Sequence, residues 1–365
     1  MAKIGIKGPG AKDILNNSDF GGWSLCIGAG TSLPLVPTWQ GLVQDLLVSG
    51  SHPLSPTEAK ALRDSFPPEA LISASQEMLS FDDERYREYL TGRLYDTLQH
   101  RAGKLWPVIM KCLMARVPGN ALKSEWKSFL HFVSTARPTA LDLAAVLLKS
   151  VEKGKAPNAV LSFNAEPLLF ALLNACAAVN FHKGKVPSHA DEAENGPGVA
   201  DRIEGSTSWV KKGRIPYYFC HGFLPMLDPI ALTVCGTPPA ALFDSKMVFS
   251  ERDYLNLANT VWSWQSSVFT RTAMSDRIVF IGLSLTDPNM RRWLAWIHEQ
   301  RLREIKSRKP MIRESTQHYW INVSSGSGPI DRWTEALVAH LGVRLVWLSA
   351  WKEVKPTLQG MLRLS

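Results

Sequence analysis

The sequence predicts an α/β fold: a Rossmann-like, mostly parallel sheet with helices on both faces and a helical insert. Three observations carry that expectation. The apolar run Trp23 to Ile27 ends in the glycine turn Gly28-Ala29-Gly30. Short apolar runs then alternate with segments of helical period through the second half of the chain. Residues 51 to 135, by contrast, carry helical spacing and almost no period-two alternation. Alternating strands and helices build parallel strands joined by crossovers, with ligands at the carboxyl ends of the strands.

The 365 residues divide into an N-terminal segment (1–20), a core formed by 21–50 and 136–365, and the insert (51–135). From Gly21 to Leu47 the order is strand, glycine turn and helix, the helix presenting Leu42, Val43, Leu46 and Leu47 on one face. Within the insert, Glu69 to Leu79, Asp83 to His100 and Trp106 to Arg116 are spaced as helices, with prolines near several ends. A helix over Leu141 to Leu148 leads to a strand at Ala159 to Phe163 and a helix from Pro167, where proline suits the first turn. The polar, glycine- and proline-rich stretch His182 to Arg214 is expected to be a surface excursion placed to cover the site. Strands follow at Tyr217 to Cys220, Met247 to Phe249 and Ile278 to Gly282, with a helix through Leu255 to Thr272 and another from Pro288. Two more strands, Tyr319 to Val323 and Val343 to Leu348, are followed by helices at Trp333 to Leu341 and Trp351 to Leu362.

A composition of 45% hydrophobic and 20% charged residues is that of a soluble globular chain with a substantial core. The N-terminus has no secretory pattern, so a cytoplasmic protein is expected. The apolar run from Ala159 to Val179 is interrupted by Asn164, Glu166, Pro167 and Asn174, which argues against a membrane span. Five scattered cysteines without a Cys-x-x-Cys pair read as reduced thiols, and no metal site is expected. A net charge of +8 suits a polyanionic partner or a nucleotide, yet the dispersed positive residues argue against direct nucleic-acid binding. Most of the 13 tryptophans belong in the core, and some are expected to anchor subunit contacts.

Four polar motifs follow predicted strands: Gly28-Ala29-Gly30-Thr31-Ser32, Ser162-Phe163-Asn164-Ala165-Glu166, Cys220-His221-Gly222 and Gly282-Leu283-Ser284-Leu285-Thr286-Asp287. Loops at one sheet edge converge, so these residues can share a site. A glycine turn after a strand lets backbone N–H groups approach a phosphate, although the same turn is common without a ligand. Leu33 stands where a dehydrogenase-type fingerprint has its third glycine, and the usual acidic residue about twenty positions on is missing. Each side chain also has a plain structural reading. Asn164 suits a turn, His221 a core position, Ser32, Ser284 and Asp287 helix caps, and Glu166 the start of a helix. Trp39 reads as packing beside the glycine turn, and Glu251, Asp253 and Tyr254 as structural, with Tyr254 in the core.

As an ordered set these motifs resemble the sirtuin family, specifically its divergent branch of bacterial NAD-consuming proteins of anti-phage defence. That branch has Gly-Ala-Gly-x-Ser followed by Pro-x-Trp, here Gly28 to Ser32 with Pro37-Thr38-Trp39. Ser162, Asn164 and Glu166 take the places of its Thr-x-Asn-x-Asp, and His221-Gly222 those of its His-Gly. Ser250-Glu251-Arg252-Asp253-Tyr254 is similar to a Ser-Glu-x-Asp-Tyr element, and Gly282, Ser284, Asp287 and Asn289 to Gly-x-Ser-x-x-Asp-x-Asn. Alanine replaces the usual aromatic residue at 165 and glutamate replaces aspartate at 166. The four-cysteine zinc module of the protein-deacylating sirtuins is missing, so protein deacetylation is not expected.

The resemblance implies an NAD+ glycohydrolase that takes NAD as substrate, needs no metal and serves as a defence effector. It implies catalytic roles for Asn164 and His221, the first orienting water or a ribose hydroxyl and the second acting as general base. Gly28, Ala29, Gly30 and Thr31 would hold the pyrophosphate, with Ser32, Glu166 and Gly282 also at the nucleotide and Ser284 and Asp287 at its adenosine end. Two alternatives stay open: a non-catalytic module that binds NAD or ADP-ribose, and ADP-ribosyl transfer to a macromolecule. A homo-oligomer, and a separate regulatory partner such as an ATPase or an Argonaute-type protein, are further expectations; a membrane is not.

Overall fold

A computed structural model of the chain describes residues 8, 10, 22–50, 52–180, 198–205, 208, 210–226, 247–259, 263–308 and 317–364. Seven strands form one parallel sheet: β1 (Trp23–Ile27), β2 (Val160–Ser162), β3 (Ala200–Ile203), β4 (Ile215–Phe219), β5 (Arg277–Ile281), β6 (His318–Val323) and β7 (Val343–Leu348). Their spatial order is β3-β4-β2-β1-β5-β6-β7. From β1 the sheet grows one way through β2 and the other way through β5, in register Ile27 with Ser162 and Ile27 with Ile281. The topological switch point therefore lies between β1 and β5, where ligands of open α/β sheets bind.

The described helices are α1 (Trp39–Ser49), α2 (Pro56–Ser65), α3 (Pro68–Leu79), α4 (Asp83–Ala102), α5 (Trp106–Met114), α6 (Lys123–Ala136), α7 (Thr139–Glu152) and α8 (Leu168–Asn180). They continue as α9 (Glu251–Asn259), α10 (Trp264–Ser275), α11 (Pro288–Arg308), α12 (Gly328–Ala339) and α13 (Val354–Met361). Successive strand residues point to opposite faces, and the core divides accordingly. Leu25, Ile27, Val279 and Ile281 join one apolar cluster, whereas Cys26, Ile278 and Phe280 join another. Both faces are thus covered by helices, as the near-continuous apolar strands require.

Local chemistry explains the helix limits. Ser55 and Glu58 form a reciprocal capping box at α2, and the Asp82 side chain accepts the Arg85 amide at α4. The insert consists of α2 to α6, and its last helix runs on to Ala136, one residue past the predicted boundary. Its residues Leu94, Tyr95, Ile109, Trp126 and Phe129 belong to the same apolar cluster as Leu25 and Ile27 of β1. The insert therefore shares the core of the sheet.

The structure departs from the expected elements in several places. Residues 247–249 are not a strand, although Met247 and Phe249 are buried in one cluster and Val248 in the other. That alternation mimics a strand, but the Val248 amide donates to the His221 carbonyl, which lies in a turn, and the next residues turn into α9. The expected helix through 255–272 is two helices, α9 and α10. The excursion at 182–214 contains the edge strand β3, paired with β4; its residues 182–197, 206, 207 and 209 lie outside the described residues, as do Cys235 and the N-terminal segment 1–20 apart from Gly8 and Gly10. Cys26, Cys112 and Cys220 are buried and Cys176 half-buried, all unpaired. Trp126 is wholly buried, whereas Trp296 and Trp333 are exposed. Among the described residues no helix is long and apolar enough to cross a membrane, and no cluster of His, Cys, Asp or Glu could hold a metal.

Candidate functional site

The loops after β1 and β5 meet at the switch point through backbone. A Cβ on Gly28 would lie 2.6 Å from the Gly282 carbonyl oxygen, and one on Gly282 would lie 2.6 Å from the Thr31 nitrogen. Gly282 also has φ +70, a left-handed conformation that side chains disfavour. Close packing of two loops thus accounts for these glycines without any ligand. The amides of Gly28, Gly30 and Thr31 donate to the carbonyls of Ile281, Gly282 and Gly28 at 3.0–3.1 Å. Three of the four donors expected to hold a phosphate are therefore engaged within the protein. Among the described residues the Ala29 amide has no such acceptor, and Ala29 lines the cavity described below.

After β2 the chain builds a buried polar cluster. Glu166 Oε1 accepts from Ser32 Oγ at 2.5 Å and from Asn164 Nδ2 at 2.8 Å, while Oε2 accepts the Leu168 amide at the start of α8. Asn164 Nδ2 also donates to Thr31 Oγ1 at 3.3 Å. With its amino group fixed on that side, the carboxamide leaves Oδ1 buried and unpaired. Burial pushes the Glu166 carboxyl up to about 7, against the three hydrogen bonds that favour its charged form. Glu166 both caps a helix and orients Asn164.

His221 follows β4 in a turn closed by the Gly222 amide on the Phe219 carbonyl, 3.0 Å. Its ring lies edge-on to Phe163 (centroids 4.7 Å apart) and Tyr254 (5.5 Å). His221 Nε2 approaches Asp287 Oδ2 to 3.5 Å, and each of these buried atoms lacks a hydrogen bond. Burial pushes the His221 pKa down, and the Asp287 charge opposes it only in part, so the imidazole is neutral near pH 7. Asp287 Oδ1 accepts the Met290 amide at 2.9 Å and so caps α11. Ser284 does not cap; its hydroxyl pairs with that of Thr286 at 2.6 Å.

These groups surround one cavity of about 390 Å³. Such a volume lies within the range of about 300–1,000 Å³ typical of small-molecule sites. His221, Glu166, Asp287, Ser284, Ala29 and Gly282 line it, whereas Thr31, Ser32 and Asn164 are buried behind the wall. Many of the lining residues went unassigned to the site by sequence, among them Trp39, Glu69, Leu94 and Tyr254. Trp39 packs against Phe249 with the rings tilted by 35° and their centroids 5.0 Å apart, and its buried Nε1 has no partner among the described residues. Tyr254 is half-buried at the wall rather than in the core. Glu69 and Leu94 come from the insert, where the only signals were a proline-led helix start and an apolar stripe.

A family model described as a SIR2-like domain matches residues 189–342, less than half of the chain. The matched stretch contains His221, Gly282, Ser284 and Asp287, and the loops at 28–32 and 162–166 precede it. It supports a sirtuin-like family, and SIR2-like domains use NAD. No curated protein matches the chain.

Proposed function

We propose that the chain is an NAD+ glycohydrolase, in which water displaces nicotinamide from the ribose to give ADP-ribose, nicotinamide and a proton. The observation that carries this reading is the neutral His221, whose unpaired Nε2 lies 3.5 Å from the Asp287 carboxylate at the wall of a nucleotide-sized cavity. In this reading water attacks C1′ of the nicotinamide ribose. The electrons of the breaking C–N bond neutralise the pyridinium nitrogen, so the leaving group needs no proton. His221 Nε2 accepts the water proton, and Asp287 stabilises the resulting imidazolium. Asn164, with its amino group held by Glu166 and Thr31, would turn its free carbonyl oxygen toward a ribose hydroxyl or the water.

Phosphate contact by the first loop is retained here only for the Ala29 amide, because its neighbours are bonded internally. Ser284 and Thr286 hydroxyls, beyond Asp287, would meet the adenosine ribose. The SIR2-like match supports the dinucleotide but not the bond that is cleaved. Incubating the protein with NAD+ and measuring nicotinamide tests the reading. Turnover should fall at least a hundredfold in His221→Ala and Asn164→Ala, with melting curves unchanged for His221→Ala. Full activity in both variants would overturn it.

The burial of Asn164 behind the wall also favours a second reading, a module that binds NAD or ADP-ribose without turnover. Binding without nicotinamide release would select it, and label carried from NAD+ onto a macromolecule would select ADP-ribosyl transfer. On the resemblance alone we extend the proposal to a cytoplasmic defence effector that depletes NAD. Because unregulated NAD loss kills the host, activity would be gated by self-association or by a separate partner.

A further inference from the structure

We propose that Tyr254 is the positioning residue of His221. Its ring, set in place by the cap at Ser250-x-x-Asp253 and by Asn289, holds the imidazole with Nε2 toward Asp287. The inference rests on the reading of His221 as a base proposed above and names what orients it. The Ser250 to Tyr254 element and Asn289 thereby share one task.

A general base must keep one nitrogen facing its target, and a third group bonded to the other nitrogen commonly sees to this. Among the described residues neither ring nitrogen of His221 has a hydrogen bond, so the described contacts that set its angle are aromatic. Phe163 meets the imidazole at 75° and Tyr254 at 81°, with centroids 4.7 and 5.5 Å away. Two rings standing nearly perpendicular to the imidazole oppose its rotation about Cβ–Cγ. A half-turn there would exchange Nε2 for Cε1 opposite Asp287, and the base would be lost. Phe163 is held by the sheet: its amide donates to the Ile27 carbonyl at 3.0 Å, and its ring lies edge-on to Phe269, 6.0 Å away. Tyr254 has no strand beneath it, and α9 alone sets its place.

The start of α9 is fixed from several sides. Ser250 Oγ accepts the Asp253 amide at 3.1 Å, while Asp253 Oδ2 accepts from the Ser250 amide at 3.0 Å and from Ser250 Oγ at 2.7 Å. This reciprocal cap sets the first turn, and Tyr254 follows directly. The Tyr254 carbonyl accepts from Asn289 Nδ2 at 3.4 Å, and Asn289 Oδ1 in turn accepts from Arg292 at 3.1 Å, which ties α9 to α11. The Glu251 amide donates to Ser73 Oγ of α3 at 3.0 Å, which ties α9 to the insert. Just before the cap, the Val248 amide donates to the His221 carbonyl at 3.1 Å. One stretch of chain, 248–254, therefore grips both the backbone and the ring of His221. Burial and the Asp287 charge push the Tyr254 phenol well up, so the ring beside the imidazole stays uncharged.

The test combines kinetics with long-range nitrogen–proton spectra of the His221 ring, whose signals are identified by their loss in His221→Ala. The parent should show one neutral tautomer. Tyr254→Phe keeps the ring and should preserve that signature, with kcat within about threefold of the parent. Tyr254→Leu should give averaged tautomer signals and a kcat about ten- to a hundredfold lower, with KM changed by less than about threefold. Ser250→Ala, which loosens the cap while Tyr254 remains, should move both readouts the same way by less. Its result decides the matter if melting curves show that Tyr254→Leu does not fold. Asp287, Glu166 and Glu69, the acids of the cavity, are intact in every variant, so a change at His221 reports on the ring contact. Unchanged spectra and kcat in the folded variants would overturn the assignment, as would an equal loss in Tyr254→Phe, which would place the role in the hydroxyl. A parent that releases no nicotinamide would remove the proposed function, and the spectra alone would then decide for or against Tyr254.

Discussion

Glu166 shows how a single side chain can serve packing, orientation and titration together. Its carboxyl accepts from Ser32, Asn164 and Leu168 in a buried setting, and its pKa is raised to about 7 from 4.5. Between these values the folded protein binds a proton at Glu166 that the unfolded chain has released, so the stability contributed by this carboxyl is fully present below pH 4.5 and is lost as pH rises through 7. The span corresponds to about 3 kcal/mol. Urea unfolding between pH 5 and pH 8 should reveal that loss as a difference in slope between the parent protein and Glu166→Gln, because the buried His221 and His318, with lowered pKa values, titrate the other way in both. In Glu166→Gln the slope should flatten, at a cost of about 1–2 kcal/mol near pH 5, because the new amide cannot accept from every donor. Equal slopes would show that another group titrates. Glu166 was readable from sequence as a charge before a helix, but its dual grip on Ser32 and Asn164 was not, since those residues come from loops after different strands.

At the scale of elements, the two glycine loops act as one unit. Gly282→Ala would combine a left-handed φ with a Cβ 2.6 Å from backbone nitrogen, and should destabilise by about 3 kcal/mol or more. Gly30→Ala, where the nearest atom stands 3.0 Å away, should cost less. Denaturant midpoints of the two variants check the ordering; equal midpoints would mean that the loops separate readily. Strands β1, β5, β6 and β7 were legible because apolar runs that lie buried on both faces stand out from the helices between them. β3 was missed because it has four residues, a mixed apolar-polar composition and glycine-rich surroundings. The false strand at 247–249 shares the burial alternation of a true one but has no strand partner among the described residues. The four loop motifs were legible for a topological reason: parallel strands deliver their following loops to one edge. Glu69 was invisible because no strand carries it there.

The whole molecule is more unified than its sequence blocks imply. Many insert side chains, among them the five large ones Leu94, Tyr95, Ile109, Trp126 and Phe129, pack in the cluster that covers one face of β1, and the Tyr95 hydroxyl donates to the Leu224 carbonyl at 3.0 Å. Leu94 and Glu69 also reach the cavity, so the insert supports both the core and the site. Fully burying one large apolar side chain contributes about 1.5–3 kcal/mol. Five of them approach the whole of a typical stability of about 5–15 kcal/mol, before the α1 and α8 surfaces that they cover are counted. Replacing residues 51–135 by a short glycine-serine linker should therefore leave no cooperative unfolding transition, with near-ultraviolet dichroism lost and a hydrophobic dye bound. A shortened chain that still melted sharply would show that the sheet and its remaining helices stand alone. The insert would then be an appendage to the core, and the second wall of the cavity would be dispensable for folding.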